Sequence, residues 1–225
     1  MPVESEELRK APLFAPLSDD DMARVAAVTV ERHYERGDII TLEGDRGGAL
    51  YFVRSGLIKV FKSSPGGKEQ VLRLIEAGQT FNDVPALDAG PNPASAAALE
   101  PSIVYATGGV ELRRLIAERP GVALATVQAL AGALRHLVTL VEDLSFRHVT
   151  ARVAKILIEQ DASTDASGAS GKATHRLTQQ EMAAMAGTAR EMVGRALKEL
   201  EATGAIRIQR GRITVLSRER LETFA

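Results

Sequence analysis

The sequence predicts an α+β fold in three successive parts: a glycine-punctuated β-roll, one long helix, and a small helical module closed by a β-hairpin. Three observations carry this. Short apolar runs with turn signals about every eight to twelve residues fill 32–116, the pattern of an antiparallel sandwich or barrel. A heptad spacing of apolar residues follows over 127–144. Beyond it, two glycine-linked helical stretches precede an alternating strand pair over 205–216.

The first thirty residues read as helical, with Ser18 as the N-cap of a helix over Asp19–Val28. From there Gly37, Gly44, Gly47, Gly48, Gly56, Gly66, Gly67, Gly78 and Gly90 separate strand-like pieces. The clearest are LYFVR (50–54), LIKVF (57–61) and QVLRLI (70–75). Ser64-Pro65-Gly66-Gly67 has the composition of a hairpin turn. Few residues in this stretch suit a long helix.

The texture changes near Pro120. Val127, Leu130, Leu134, Leu137, Val141 and Leu144 recur at spacings of 3, 4, 3, 4 and 3, alternating a and d positions of a seam. A seam this narrow pairs with another helix, and burying each such side chain contributes roughly 1.5–3 kcal/mol. The alternative is that the stripe packs on the chain's own β-roll. The longest uncharged apolar run, 120–134, ends at Arg135, short of the roughly 20 residues of a membrane span. The chain has no cysteine, which excludes disulfides, thiolate metal sites, iron–sulfur clusters and cysteine nucleophiles. The opening MPVESEELRK is acidic and polar, unlike a secretory signal. A cytoplasmic protein without a membrane partner is expected.

A further helix is expected from 147 to about 160, followed by DASTDASGASG (161–171), whose small polar residues read as a connector. The segment LTQQEMAAMAGTAREMVGRALKEL (177–200) is the most informative. Thr178 with Glu181 forms one capping box and Thr188 with Glu191 a second, with Gly187 breaking the chain between them. Ala183 and Gly187 permit close helix crossing, and Met182, Met185, Val193, Ala196, Leu197 and Leu200 supply inward faces. Two short helices joined in this way are a helix-turn-helix, whose second helix fits a DNA major groove. Arg190, Arg195 and Lys198 decorate that helix, and arginine pairs bidentately with guanine. The alternating strand pair turns at Gly211 and reads as a wing with Arg210 and Arg212 at its tip, placed to meet phosphate.

Charge supports this partition. The chain has 28 basic and 29 acidic residues, net −1, but residues 172–225 alone carry +4 and the remainder −5. An acidic body with a basic head repels DNA except at the recognition surface.

The whole chain, over about 13–221, resembles the catabolite activator (CRP/FNR) superfamily of transcription regulators. The resemblance lies in LEGD (42–45), LYFVRSG (50–56), GKEQVL (67–72), AGQTF (77–81) and REMVGR (190–195). It implies a cyclic-nucleotide-binding-like jelly-roll effector domain at 1–118, a dimerisation helix at 119–146 and a winged helix-turn-helix at 147–225. It further implies a homodimer on palindromic double-stranded DNA with TGTGA-like half-sites, RNA polymerase as a partner, and control by a small-molecule effector. The DNA-contacting set on this reading is Thr178, Gln180, Thr188, Arg190, Glu191, Arg195, Lys198, Arg210 and Arg212. Glu191 would then read a base rather than complete its capping box. Met192 departs from the threonine usual in the activator branch.

The resemblance also frames the effector. Members that bind cyclic AMP use Gly-Glu for the ribose, Arg-Ser for the phosphate and Thr-Ser for the base. The matching positions here are Asn82-Asp83, Asn92-Pro93 and Leu137-Val138. Without the arginine, the charge-assisted contact to a buried phosphate is lost, which argues against cyclic AMP. Iron–sulfur sensing is excluded by the absence of cysteine, and no histidine follows Phe81 where haem sensors carry an axial ligand. Haem stays open through His136 and His148, each read first as a solvated or interfacial imidazole; His33 and His175 complete the histidines. The expected pocket is mostly apolar and lined by Phe81, Asn82, Asp83, Asn92, Pro93, Ser95, Leu134, Leu137 and Val138; it either binds an apolar small molecule or is filled by side chains in a constitutively active protein. Two other classes compete: a metal-dependent β-barrel enzyme, for which the roll lacks clustered histidines, and a sensor module acting through protein contacts.

Overall fold

The computed structural model describes Val3, residues 5–166 (only the helical backbone for 162–166), 177–209 and 212–225. Arg210, Gly211 and His175 from the sequence reading lie outside the described residues, as does the connector from 167 onward. Two compact units are present, Met1–Lys62 with Val71–Leu137, and Ser63–Gln70 with Val138–Ala225.

In the first unit, α1 (Ser5–Arg9) and α2 (Asp19–Val28) come first. Ser18 caps α2 as expected, its Oγ accepting from the Asp21 amide at 3.3 Å. The strands β1 (Thr29–Tyr34), β2 (Ile39–Thr41), β3 (Ala49–Ser55), β4 (Ile58–Ser63), β5 (Glu69–Ile75), β6 (Thr80–Phe81), β7 (Ser95–Ala98) and β8 (Ser102–Gly108) follow. They form two four-stranded sheets, ordered β1-β8-β3-β6 and β2-β7-β4-β5. The three strands read from sequence are β3, β4 and β5.

Strand β3 explains its own uninterrupted apolar run. Alternate side chains face opposite sides of a sheet. Leu50 and Phe52 join a cluster with Leu8, Phe14, Met22, Leu112 and Leu115, whereas Tyr51 and Val53 join Ile58, Ile75, Phe81, Ala96 and Val104. The second cluster draws on both sheets and is the inside of the roll; the first lies beneath the helices.

Two short helices interrupt the roll, α3 (Asp83–Asp88) and α4 (Gly109–Glu118). The ten-residue α4 falls in a stretch where few residues suited a helix: Leu112 and Leu115, three apart, are buried. On its outer side Arg114 pairs with Glu111 and Glu118 at helical spacing. Just past it, Arg119 donates two hydrogen bonds to buried Asp21, at 2.6 and 2.9 Å, tying the start of the long helix to α2.

That helix, α5 (Pro120–Phe146), has 27 residues, with proline at its first position. Among the described residues it is the one helix long and apolar enough to cross a membrane by length and composition. The uncharged run suggested less, because Arg135 and His136 interrupt the composition without interrupting the helix.

In the second unit the end of α5 is followed by α6 (Val149–Ala166), α7 (Gln179–Ala186) and α8 (Arg190–Ala202). Strands β9 (Ile206–Gln209) and β10 (Arg212–Val215) and a closing α9 (Arg218–Glu222) complete it. Helix α6 runs past the expected end near 160. Ala162 and Ala166 are strong helix formers, and no glycine intervenes before Gly168. Val153, Leu157, Met182, Val193, Leu197 and Leu200 are all buried in this unit. Met185, expected inside, is only half-buried, and Ala184 is buried instead.

Candidate nucleic-acid interface and effector crevice

Helix α7 begins with the predicted capping box. The Glu181 amide donates to Thr178 Oγ1 at 3.1 Å, and the Thr178 amide donates to Glu181 Oε2 at 2.6 Å. It ends at Gly187, whose φ of 63° favours glycine. The amides of Gly187 and Thr188 both bond to the Ala183 carbonyl. This turn is one residue longer than expected, which removes the second capping box. Ala189 takes the N-cap of α8 and makes no side-chain cap, so Glu191 stands one position too early to close a box with Thr188. Its carboxylate is left to the surface.

Helix α8 is two-faced. Val193, Ala196, Leu197 and Leu200 are buried, while Arg190, Glu191, Met192, Arg195 and Lys198 are exposed. The exposed set holds three cations, one carboxylate and a thioether, a donor-rich face suited to base edges and phosphates. Thr178 and Gln180 are exposed at the start of α7, and Thr188 is half-buried in the turn. The predicted wing is present, with Arg212 paired to Gln209 and Thr214 to Arg207 across β9 and β10. Exposed Arg207 adds a cation that the sequence reading left unassigned.

The apolar seam of α5 is largely uncovered. Val127, Leu134 and Val141 are 61, 63 and 64% exposed, and Leu130 and Leu137 are 36 and 40% exposed. Leu144 departs from the seam. It is half-buried, and its Cδ2 lies so close to Gly187 that a Cβ built there would sit 2.6 Å away. It packs on the helix-turn-helix turn instead of presenting itself to a partner helix.

The expected effector residues are mostly engaged within the protein. Phe81 is buried in the roll and stacks on Tyr51 with centroids 5.0 Å apart, so it belongs to the core. Asn82 has a φ of 64° and donates to the Ala49 carbonyl at 2.9 Å; asparagine tolerates this left-handed conformation. Buried Asn92 donates to the Leu42 carbonyl at 2.9 Å, and Ser95 Oγ accepts from the Glu43 amide at 3.0 Å. Both hold the 42–45 turn in place. Pro93 and Val138 are exposed, as are Leu134 and Leu137.

Of the nine, Asp83 lines a crevice with Leu13, Leu50, Thr80, Leu87, Leu112, Thr126, Ala129 and Leu130. Its room, about 10 Å³, is that of roughly one water. Burial pushes the Asp83 carboxyl above its ordinary range, while Arg73 and a 3.3 Å hydrogen bond from Thr80 oppose the shift. Arg73, on β5, was not foreseen. Nor was the contact of His136 Nε2 with the Leu72 carbonyl at 2.9 Å, which ties this imidazole to β5. The described residues hold no cluster of three or more metal-ligating side chains.

A two-sheet β-roll, a long helix with an uncovered seam, and a winged helix-turn-helix with a cationic second helix define a DNA-binding regulator with a sensor-type domain. Comparison with known proteins agrees. Residues 31–119 match the cyclic nucleotide-binding domain and 151–224 the Crp-like helix-turn-helix domain. The chain is 31% identical over 218 residues to the CRP-like cAMP-activated global transcriptional regulator of Mycobacterium tuberculosis, covering 96% of this chain and 97% of that one. It is 33% identical over 218 residues to the cyclic AMP receptor protein of Thermus thermophilus, covering 97% and 98%. The solved structure of FixK2 from Bradyrhizobium japonicum shares the fold, with a TM-score of 0.76 at 24% identity over 88% of this chain and 97% of that one. The chain belongs to the CRP/FNR superfamily of DNA-binding transcription regulators. These are regulators and not enzymes.

Proposed function

We propose that the protein acts as a homodimer on palindromic DNA with TGTGA-like half-sites, under control of an effector other than cyclic AMP. Two copies pair along Val127, Leu130, Leu134, Leu137 and Val141, and each α8 enters a major groove roughly 34 Å from the other. Arg190, Glu191 and Arg195 read bases; Thr178, Gln180, Thr188, Lys198, Arg210 and Arg212 hold phosphates. The working division is 1–118 for sensing, 119–146 for pairing and 147–225 for DNA. RNA polymerase is the downstream partner, and the cytoplasm the place of action. A membrane role for α5 is disfavoured by Arg135 and His136 at its middle, since intramembrane charge is costly.

The observation that carries this reading is the exposed Arg190, Glu191, Arg195 and Lys198 face over a buried Val193, Leu197 and Leu200 face on one helix. Selection from randomised duplex DNA is expected to return a two-fold symmetric site. Arg195→Ala is expected to weaken binding by about 1–3 kcal/mol and to relax one base position in each half-site. An asymmetric consensus, or an unchanged profile for the variant, contradicts the assignment.

The effector reading rests on Pro93, Leu137 and Val138, which offer a nucleotide neither charge nor a side-chain hydrogen bond, and on Asn92, which is uncharged and whose amide nitrogen already donates to the Leu42 carbonyl. A second reading, cyclic AMP itself, is favoured by the names of the two relatives and by Arg73 acting on Asp83. Calorimetry with cyclic AMP decides between them. No heat and no change in DNA affinity are expected; saturable binding with tighter DNA association selects the second reading.

A further inference from the structure

The C-terminal end of a helix leaves carbonyls without intrahelical donors. At the end of α7, three consecutive ones are met by side chains from outside the helix-turn-helix. Gln70 Nε2 donates to the Met185 carbonyl at 3.3 Å, Arg152 Nε to Ala186 at 2.8 Å, and Lys68 Nζ to Gly187 at 3.3 Å. The Arg152 guanidinium also donates to the Arg147 carbonyl at 2.6 Å, so it joins the end of α7 to the residue following α5. Two cations at a helix C-terminus suit the helix dipole.

Lys68 and Gln70 belong to the hairpin tip 63–70, which is part of the second unit. The tip is itself a defined turn. The Gly67 amide bonds to the Ser64 carbonyl at 2.9 Å, and the Lys68 amide to Ser64 Oγ at 3.1 Å. Gly187 is crowded from the same side, since a Cβ there would lie 2.7 Å from Gln70 Oε1. The start of α8 lacks a cap of its own, because Ala189 offers no side-chain acceptor. Only Thr188 and Ala189 separate the clasped carbonyls from Arg190.

We propose that Gln70, assisted by Lys68, is a positioning residue for the recognition helix: the hairpin tip clasps the C-terminal carbonyls of α7 and so fixes the turn from which the uncapped α8 starts. The proposal rests on the DNA-reading role given above to α8. Its test compares the full chain with Gln70→Ala and Lys68→Arg by hydrogen exchange and by binding to selected and to random duplex DNA.

Gln70→Ala removes no charge. It is expected to speed exchange of the amides at 187–193 about tenfold and to weaken binding to the selected site about tenfold. Binding to random duplex should stay within about twofold, because that is set by charge. Lys68→Arg keeps a donor and is expected to behave as the parent protein. Parental exchange rates in Gln70→Ala, or tighter binding to the selected site, overturn the clasp. Equal weakening on both DNAs also overturns it, as a general loss of folding. If the parent protein binds neither DNA, the role of α8 fails, while the exchange rates still decide the clasp.

Discussion

Asp21 and Arg119 stand 98 positions apart, yet their carboxylate and guanidinium share two short hydrogen bonds. The Arg119 hydrogen bonds, helped by Ser18, hold the Asp21 carboxyl down from 3.8 to about 2 against the opposing effect of burial. A carboxyl lowered on folding stabilises the protein above its ordinary pKa and loses that contribution as the pH falls toward the folded value. Asp21→Asn is therefore expected to lower the urea midpoint at pH 7. The gap from the parent protein should narrow steadily between pH 4 and about 2; a gap independent of pH assigns the loss to packing. The caps at Ser18 and Thr178 were legible in the sequence because donor and acceptor lie three residues apart. Arg152 with Ala186 and Gln70 with Met185 are 34 and 115 apart, and no local pattern announces them. Asn82 shows a different limit: its residue type suited a ligand contact, but its backbone conformation and its bond to Ala49 give it a structural task.

At the scale of elements, periodicity was the dependable signal. The three β-strands, the long helix, the two helices around Gly187 and the wing all follow from it. What escaped were features in which local composition and tertiary packing disagree. Helix α4 has glycine at its first position and lies among strands, and α6 continues into a serine- and threonine-containing stretch. Leu144 fits the heptad by spacing, but the helix-turn-helix turn claims it. The remaining seam gives a direct prediction. Leu134 and Val141 are more than 60% exposed on α5. The double variant Leu134→Glu, Val141→Glu is expected to sediment as a monomer with its helical circular dichroism intact, because like charges would face each other across the seam. A dimer of parental affinity would move the pairing surface elsewhere.

For the whole molecule, the near-zero charge is a cancellation between the +4 of 172–225 and the −5 of the rest. The helix-turn-helix and wing concentrate the cations that face solvent, including Arg190, Arg195, Lys198, Arg207 and Arg212. Sequence alone indicated a β-rich part, a long helix and a helical module with a hairpin, since each has its own periodicity. The effector did not follow from it, because a pocket depends on which side chains are already committed to neighbours, as Phe81, Asn82 and Ser95 are. Pairing through α5 and reading through α8 meet in one measurement, the titration of a duplex carrying two TGTGA-type half-sites one helical turn apart, followed by fluorescence anisotropy at two salt concentrations. Two chains per duplex are expected, with affinity falling steeply as salt rises and a preference of about 10³-fold or more over scrambled half-sites. One chain per duplex, or equal affinity for the scrambled sequence, would contradict the account.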